Sequence, residues 1–297
     1  DGHSVIAVDN LVTGRAVNIE HLQGHELFTF IQHDVTVPLE IQVDQIYHLA
    51  SPASPIGYMT HPIETHLVNS IGTLNLLRLA EANQARLLFT STSEAYGDPL
   101  VHPQSETYFG NVNPVGPRSC YDESKRFGES ITMEFVRHFG VDARIVRLFN
   151  TYGPRSDPED GRVVPNFVMR ALSGEPLPVY GDGEQTRSLC YVSDIIGGLR
   201  RTMESSDAGG EVINLGNPDE RTILELAHFI IEMTGSTSDV SFEPARPDDP
   251  DRRCPDTNKA RTLLGWEPIV PIEDGLRETI AYLSRYRSRT SRALASQ

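Results

Sequence analysis

The sequence predicts an α/β fold, a doubly wound parallel sheet with a smaller C-terminal α/β lobe, from three observations. Short β-branched or apolar segments alternate with helical patterns through the first half of the chain. An acidic residue, Asp9, closes the earliest of these segments, where a sheet of this kind presents its strand ends. Beyond Arg155 the alternation gives way to shorter strand and loop signals, which mark a second lobe. The expected division is a sheet domain over 1–155, a lobe over 156–287 with some segments returning to the first domain, and a disordered basic tail over 288–297.

Val5-Ile6-Ala7-Val8 reads as a strand closed by Asp9-Asn10. An acid at the end of the second strand of a dinucleotide-binding unit bonds the adenosine ribose hydroxyls, although an ordinary turn-starting Asp has the same look. A first strand and a G-x-G-x-x-G loop normally precede such an acid by roughly 20 residues, and the sequence as written has no room for them. The native chain is therefore expected to carry roughly 20 to 30 further residues. Phe28 to Gln32 reads as the next strand, with His33-Asp34-Val35 at its carboxyl end, and Gln45 to Ala50 as another. Ser51-Pro52-Ala53-Ser54-Pro55 breaks the chain into a loop that should line a ligand site. A helix from Pro62 to Asn83 carries Ile63, Leu67, Ile71, Leu74 and Leu77, read as a buried stripe.

The next apolar run, Arg86 to Phe89, leads into Thr92, Ser93 and Glu94. Tyr121 and Lys125 follow at helical spacing on a helix reaching about Phe139. An ammonium beside a phenol favours the phenolate, which suits Tyr121 to general-base work. A snorkelling lysine would produce the same spacing. Yet only two of the 26 basic residues, Lys125 and Lys259, are lysines, so a compact ammonium at this position favours chemistry. Arg144 to Phe149 is a further strand. Gly161 to Pro165, Leu177 to Gly181 and Gln185 to Asp194 read as short strands and loops of the second lobe. Glu211 to Leu215 is a strand, and Thr222 to Thr234 a helix. Residues 244–255 read either as a linker or as a loop presenting arginines to an anion. Helices near Asn258 to Leu264 and from Ile272 to about Tyr286 flank a Gly265-Trp266-Glu267-Pro268 turn.

A formal net charge of −15 argues against nucleic-acid and anionic-membrane partners, while leaving room for a local arginine cluster to bind an anionic substrate. No apolar run approaches the roughly 20 residues needed to span a bilayer, and DGHSVIAVDN lacks the regions of a signal peptide, so a cytoplasmic location is expected. Cys120, Cys190 and Cys254 show no CxxC spacing and read as reduced thiols. The ten histidines are scattered along the chain, and no metal is expected.

Taken together, TSTSEAYG, YDESK, RLFNTYGPR, VYGDGEQTRSLCYVSD, NLGNP and the late RRCPD with LGWEP resemble the extended short-chain dehydrogenase/reductase family of nucleotide-sugar enzymes, which has a Rossmann-type sheet. HLASPASPIGYM, VHPQSE, NPVGPRSCYDESKR and DGRVVPNFV resemble its branch of decarboxylases acting on UDP-glucuronate. The resemblance runs from Asp1 to about Tyr282 and implies NAD as cofactor, a UDP-sugar as substrate and a homodimer built on the Tyr-Lys helix and the helix before it. It assigns catalysis to Thr92, Glu94, Tyr121, Lys125 and Arg253. Tyr121 would take the proton of the sugar 4-hydroxyl, Lys125 would hold the nicotinamide ribose, and Thr92 would bond the same sugar oxygen. Arg253 would lie near the sugar carboxylate as a candidate proton donor at C5, with Glu94 near the same carboxylate. The cofactor would meet Asp9, Asn10, Asp34, Val35, Leu49 and Ser51 besides Tyr121 and Lys125. The substrate would meet Tyr58, Ser93, Asn150, Arg162, Val163, Tyr180, Arg187 and Arg253. Related 4,6-dehydratases carry Asp-Glu where this chain has Ser93-Glu94, which argues against dehydration. A 4-epimerase, or an inactive homologue lacking its glycine-rich loop, are the remaining alternatives.

Overall fold

The computed structural model describes residues 2–159, 161–245 and 250–295. Up to Leu148 the chain forms β1 (Val5–Asp9), β2 (Phe28–Gln32), β3 (Gln45–His48), α1 (Pro55–Thr60), α2 (Pro62–Leu67), a π turn (Val68–Gly72), α3 (Thr73–Asn83), β4 (Arg86–Thr92), α4 (Ser119–Phe139) and β5 (Ala143–Leu148). There follow β6 (Thr151–Tyr152), α5 (Val163–Ser173), β7 (Leu177–Tyr180), β8 (Thr186–Ser188), β9 (Cys190–Tyr191), α6 (Val192–Glu204) and β10 (Val212–Leu215). The chain closes with β11 (Glu220–Thr222), α7 (Ile223–Thr234), β12 (Val240–Glu243), α8 (Asn258–Leu264) and α9 (Ile272–Ala295).

Parallel strands dominate the first domain. β3, β4, β5 and β10 form a four-stranded sheet in the order β10-β5-β4-β3, and β1 pairs with β2 in a separate two-stranded one. Strands covered on both faces read as unbroken apolar runs. In β4, Leu87 and Phe89 point to one side, where they pack with Leu77, Phe135 and Ile145. Leu88 points to the other side and joins Val146, Ile195, Leu199 and Trp266. The two-residue period of the strand thus makes the sheet doubly wound. A third core, with Phe167, Val168, Leu177, Leu226, Ile230 and Leu283, lies in the second lobe.

Several expectations change. The helix expected over 62–83 is interrupted by the π turn, whose extra residue rotates the following face. Ile63, Leu67 and Ile71 are exposed at 63%, 39% and 44%, so they are not the buried stripe. The inward face is Thr65, Asn69, Gly72, Thr73, Leu76, Leu77 and Ala80, and Asn69 donates to the hydroxyls of Ser51 and Ser124 at 3.0 Å each. Ser54 caps α1 by accepting from the Gly57 amide at 3.1 Å, so regular structure begins inside the Ser51–Pro55 stretch. α5 and α6 occupy segments read as strands and loops. The tail expected to be disordered from 288 continues α9 to Ala295, while 296–297 lie outside the described residues. Residues 246–249 of the expected linker also lie outside them. The remainder of that stretch is tied down: Gln104 donates from its backbone to the Cys254 carbonyl at 2.8 Å and accepts the Cys254 amide on its side chain at 2.9 Å.

Candidate active site

β4 delivers Thr92 to the carboxyl edge of the sheet, where its hydroxyl accepts the Glu94 amide at 3.2 Å and starts a 3-10 turn. α4 crosses the same strand closely, because Gly128 faces Phe89: a Cβ on Gly128 would meet the Phe89 ring at 2.3 Å. That approach lets Lys125 Nζ donate to the Thr90 carbonyl at 2.8 Å while lying 5.0 Å from the Phe89 ring centre. Tyr121, one helical turn earlier, stacks on Tyr58 with centroids 5.0 Å apart and planes 8° apart. Its phenol shares a hydrogen bond with Thr92.

Burial governs the Tyr-Lys pair. It pushes the Tyr121 phenol up to about 12; the Thr92 hydrogen bond and Arg162 pull against it, and Glu94 and Asp122 add to it. Burial likewise brings the Lys125 ammonium down to about 7, opposed by Glu129. The expectation that Lys125 lowers the Tyr121 pKa is therefore corrected: Nζ lies 5.9 Å from the Tyr121 ring centre, engaged with Thr90, and loss of water outweighs it.

Glu94 is gripped from two sides. Arg118 donates to one carboxylate oxygen and Arg253 to the other, and Arg253 also donates to the Gly97 carbonyl at 3.0 Å. Burial opposes ionisation of Glu94, but the two guanidinium groups prevail and hold its carboxyl at about 2. Asp122 has the opposite fate. Burial and the neighbouring Glu94 charge push it up to about 7, against the pull of Arg118, and its Oδ1 is buried without a hydrogen-bond partner.

A cavity of about 530 Å³ joins these groups to the second lobe. Of the expected site residues, Leu49, Ser51, Tyr58, Thr92, Ser93, Glu94, Tyr121, Lys125, Asn150, Arg162, Val163, Tyr180 and Arg187 line it. Arg162 also donates to the Ala53 carbonyl, and Arg187 to those of Thr186 and Pro250. Arg253, 2% exposed, does not line the cavity and acts on it through Glu94. Asp9, Asn10, Asp34 and Val35 lie apart from it at the carboxyl ends of β1 and β2. There Asn10 donates to Asp34 at 3.0 Å, and Asp34 accepts from the Thr36 amide and hydroxyl.

Residues 1–279 match the family model described as GDP-mannose 4,6 dehydratase. UDP-glucuronic acid decarboxylase 1 of Danio rerio is 56% identical over 285 residues, which is 96% of this chain and 68% of that protein. The chain belongs to the UDP-glucuronic acid decarboxylase family. UDP-glucuronic acid decarboxylase 5 of Arabidopsis thaliana is 53% identical over 274 residues, covering 92% of this chain and 80% of that one. Among solved structures, UDP-glucuronic acid 4-epimerase from Bacillus cereus, in complex with UDP-glucuronic acid and NAD, superposes with a TM-score of 0.84 at 27% identity. That match covers 96% of this chain and 91% of the epimerase.

The residues of this decarboxylase-family chain fit NAD. Lys125, held at Thr90 by one of its three N–H donors, keeps donor capacity at the cavity wall beside Leu49 and Ser51, which suits a nicotinamide riboside. Asn69 Oδ1 is a buried acceptor without a partner, and its amide nitrogen fixes Ser51 in that wall. Sequence reasoning missed Arg118 and Asp122. Arg118 could have been found from its position three residues before Tyr121, one turn back along the same helical face. Nothing local marks Asp122, whose perturbation comes from Glu94 in another element.

Proposed function

We propose that this protein converts UDP-glucuronate to UDP-xylose and CO₂ with NAD as a recycled cofactor. The observation that carries the proposal is Glu94 in the wall of the cavity that holds Tyr121, preceded by Ser93 instead of an acid and held from behind by Arg253. NAD⁺ supplies oxidation of the sugar at C4 and its later reversal. Tyr121 and Thr92 address the 4-hydroxyl, with Tyr121 taking its proton. Once C4 is a ketone, the C6 carboxylate belongs to a β-keto acid, and the electrons of the breaking C5–C6 bond move into an enolate. Tyr121, protonated, and Thr92 stabilise that enolate oxygen. Reprotonation at C5 and reduction at C4 complete a redox-neutral cycle. Arg162 and Arg187 suit the diphosphate, and Asn150, whose buried Nδ2 lacks a partner, suits a substrate oxygen.

A homodimer accompanies this reading. It is supported by apolar side chains left exposed on two helices that pack together: Ile63 and Leu67 on α2, Ile71 in the π turn and Phe127, 49% exposed, on α4. Light scattering of the protein and of Ile71→Glu tests it; a wild-type monomer rejects it. A cytoplasmic location is supported by the absence of a disulfide among Cys120, Cys190 and Cys254, and localisation of a tagged chain tests it. The activity itself is tested by incubating the protein with UDP-glucuronate and NAD⁺ and following CO₂ and the sugar product. UDP-galacturonate without CO₂ would reject decarboxylation in favour of 4-epimerisation.

A further inference from the structure

One residue past Arg253, outside the cavity lining, three side chains of metal-ligating type converge. His102, Glu220 and Cys254 bring a ring nitrogen, a carboxylate oxygen and a thiol to within 4.8 Å of one another. His102 Nε2 lies 2.8 Å from Glu220 Oε2, and Arg252 Nη2 lies 2.8 Å from the same Nε2 and 3.4 Å from the same Oε2. One imidazole nitrogen cannot serve both neighbours. If it bears a proton it donates to Glu220 and confronts a guanidinium N–H; if it does not, it accepts from Arg252 and confronts a carboxylate lone pair. A cation in place of the guanidinium satisfies the nitrogen and the oxygen together.

The surroundings favour such an ion. Thr186 donates to Glu220 Oε1 at 2.6 Å, which fixes the carboxylate and leaves Oε2 for the cluster, as partners behind metal ligands do. Cys254 is 5% exposed. Ser188, fully buried, is close enough to act on the thiol, and its Oγ has no hydrogen-bond partner among the described residues. The resident cation is the easiest part to displace, because the Arg252 side chain is 58% exposed. A mixed nitrogen, sulfur and oxygen set suits Zn²⁺ and disfavours Mg²⁺ or Ca²⁺, which take oxygen ligands.

We propose that His102, Glu220 and Cys254 form a Zn²⁺ site for which Arg252 competes. On binding, the Cys254 thiol releases its proton to solvent, the thiolate, Nε2 and Oε2 ligate the ion, and Arg252 turns outward. The ion clamps the His102 loop and β11 to the segment that bears Arg253. Its role is structural, since the ligands are separate from the reacting groups.

The test uses the full-length chain stripped with a chelator and titrated with Co²⁺, then with Zn²⁺. One equivalent of Co²⁺ should give a near-ultraviolet thiolate-to-metal charge-transfer band, and Zn²⁺ should abolish it. Arg252→Ala should bind at least roughly tenfold more tightly, because a like charge at contact distance is removed. Cys254→Ser, with its fold checked by circular dichroism, should lose the band. Absence of the band from both the wild type and Arg252→Ala overturns the proposal, as does a band that survives Cys254→Ser.

Discussion

Glu94 and Arg253, 159 residues apart in sequence, meet as an ion pair near Tyr121, with Arg118 on the other oxygen of the same carboxylate. Removing Arg253 therefore leaves Glu94 a counter-charge. Arg253→Ala should fold and cost less than the about 3 to 5 kcal/mol of a buried pair broken outright. We expect UDP-sugar binding to persist while CO₂ release falls roughly a hundredfold, the scale of a misplaced group at a reacting centre, because Glu94 loses one of the two guanidinium groups that position it. Calorimetric binding beside single-turnover CO₂ release checks this, and unchanged turnover removes Arg253 from the mechanism.

The acid end of the pH range reports on Glu94. Its folded pKa, about 2, lies below the ordinary 4.5 of a glutamate, so its stabilising contribution is complete above 4.5 and lost as the pH falls toward 2. Glu94→Gln lacks that contribution at every pH. The difference in melting temperature between wild type and Glu94→Gln should be widest near neutrality and narrow below pH 4.5. A difference that stays constant down to pH 3 would contradict the pairing.

Asp122 is predicted to tune the base. Its carboxyl titrates at about 7, and its charge raises the Tyr121 phenol. Asp122→Asn removes a negative charge that disfavours phenolate, so the rising limb of the kcat/KM profile should move to lower pH. A rising limb in the wild-type position would show that Asp122 does not reach Tyr121.

Gly128→Ala tests the approach of α4 to β4. The added methyl has to displace the Phe89 ring, an overpacking cost of about 1 to 3 kcal/mol. It should also lengthen the Lys125-Thr90 contact, so NAD affinity should fall more steeply than melting temperature. Unaltered NAD binding, measured by fluorescence titration, would mean that the helix position is not set there.

Much of this was legible in the chain. β4 shows as an apolar run because both its faces are covered, and Tyr121 with Lys125 shows as a helical pair because α4 is regular there. α6 was missed because Gly197-Gly198 signals a loop, whereas packing requires the glycine: a Cβ on Gly198 would meet Leu215 at 2.6 Å. The inward face after Pro62 was misread because polar and small residues, Thr65, Asn69, Gly72 and Thr73, occupy it while Ile63, Leu67 and Ile71 stay exposed. That Glu94 and Arg253 belong to one site came from family resemblance alone, and their direct contact was not foreseen, since no local pattern encodes a partner so remote. The His102, Glu220 and Cys254 cluster escaped for the same reason: its ligands have no common spacing.

The return of β10 to the edge of β5 has a consequence for biosynthesis. A nascent chain that has emerged only through β5 carries an open parallel edge along Ile145 to Leu148, and Glu94 then faces Arg118 without Arg253. The edge is sealed by Val212 to Leu215, and the carboxylate gains its second arginine only when residue 253 follows. The sheet and the carboxylate pairing are thus completed only by residues that leave the ribosome well after β5. Until then that edge is open to pairing with another chain.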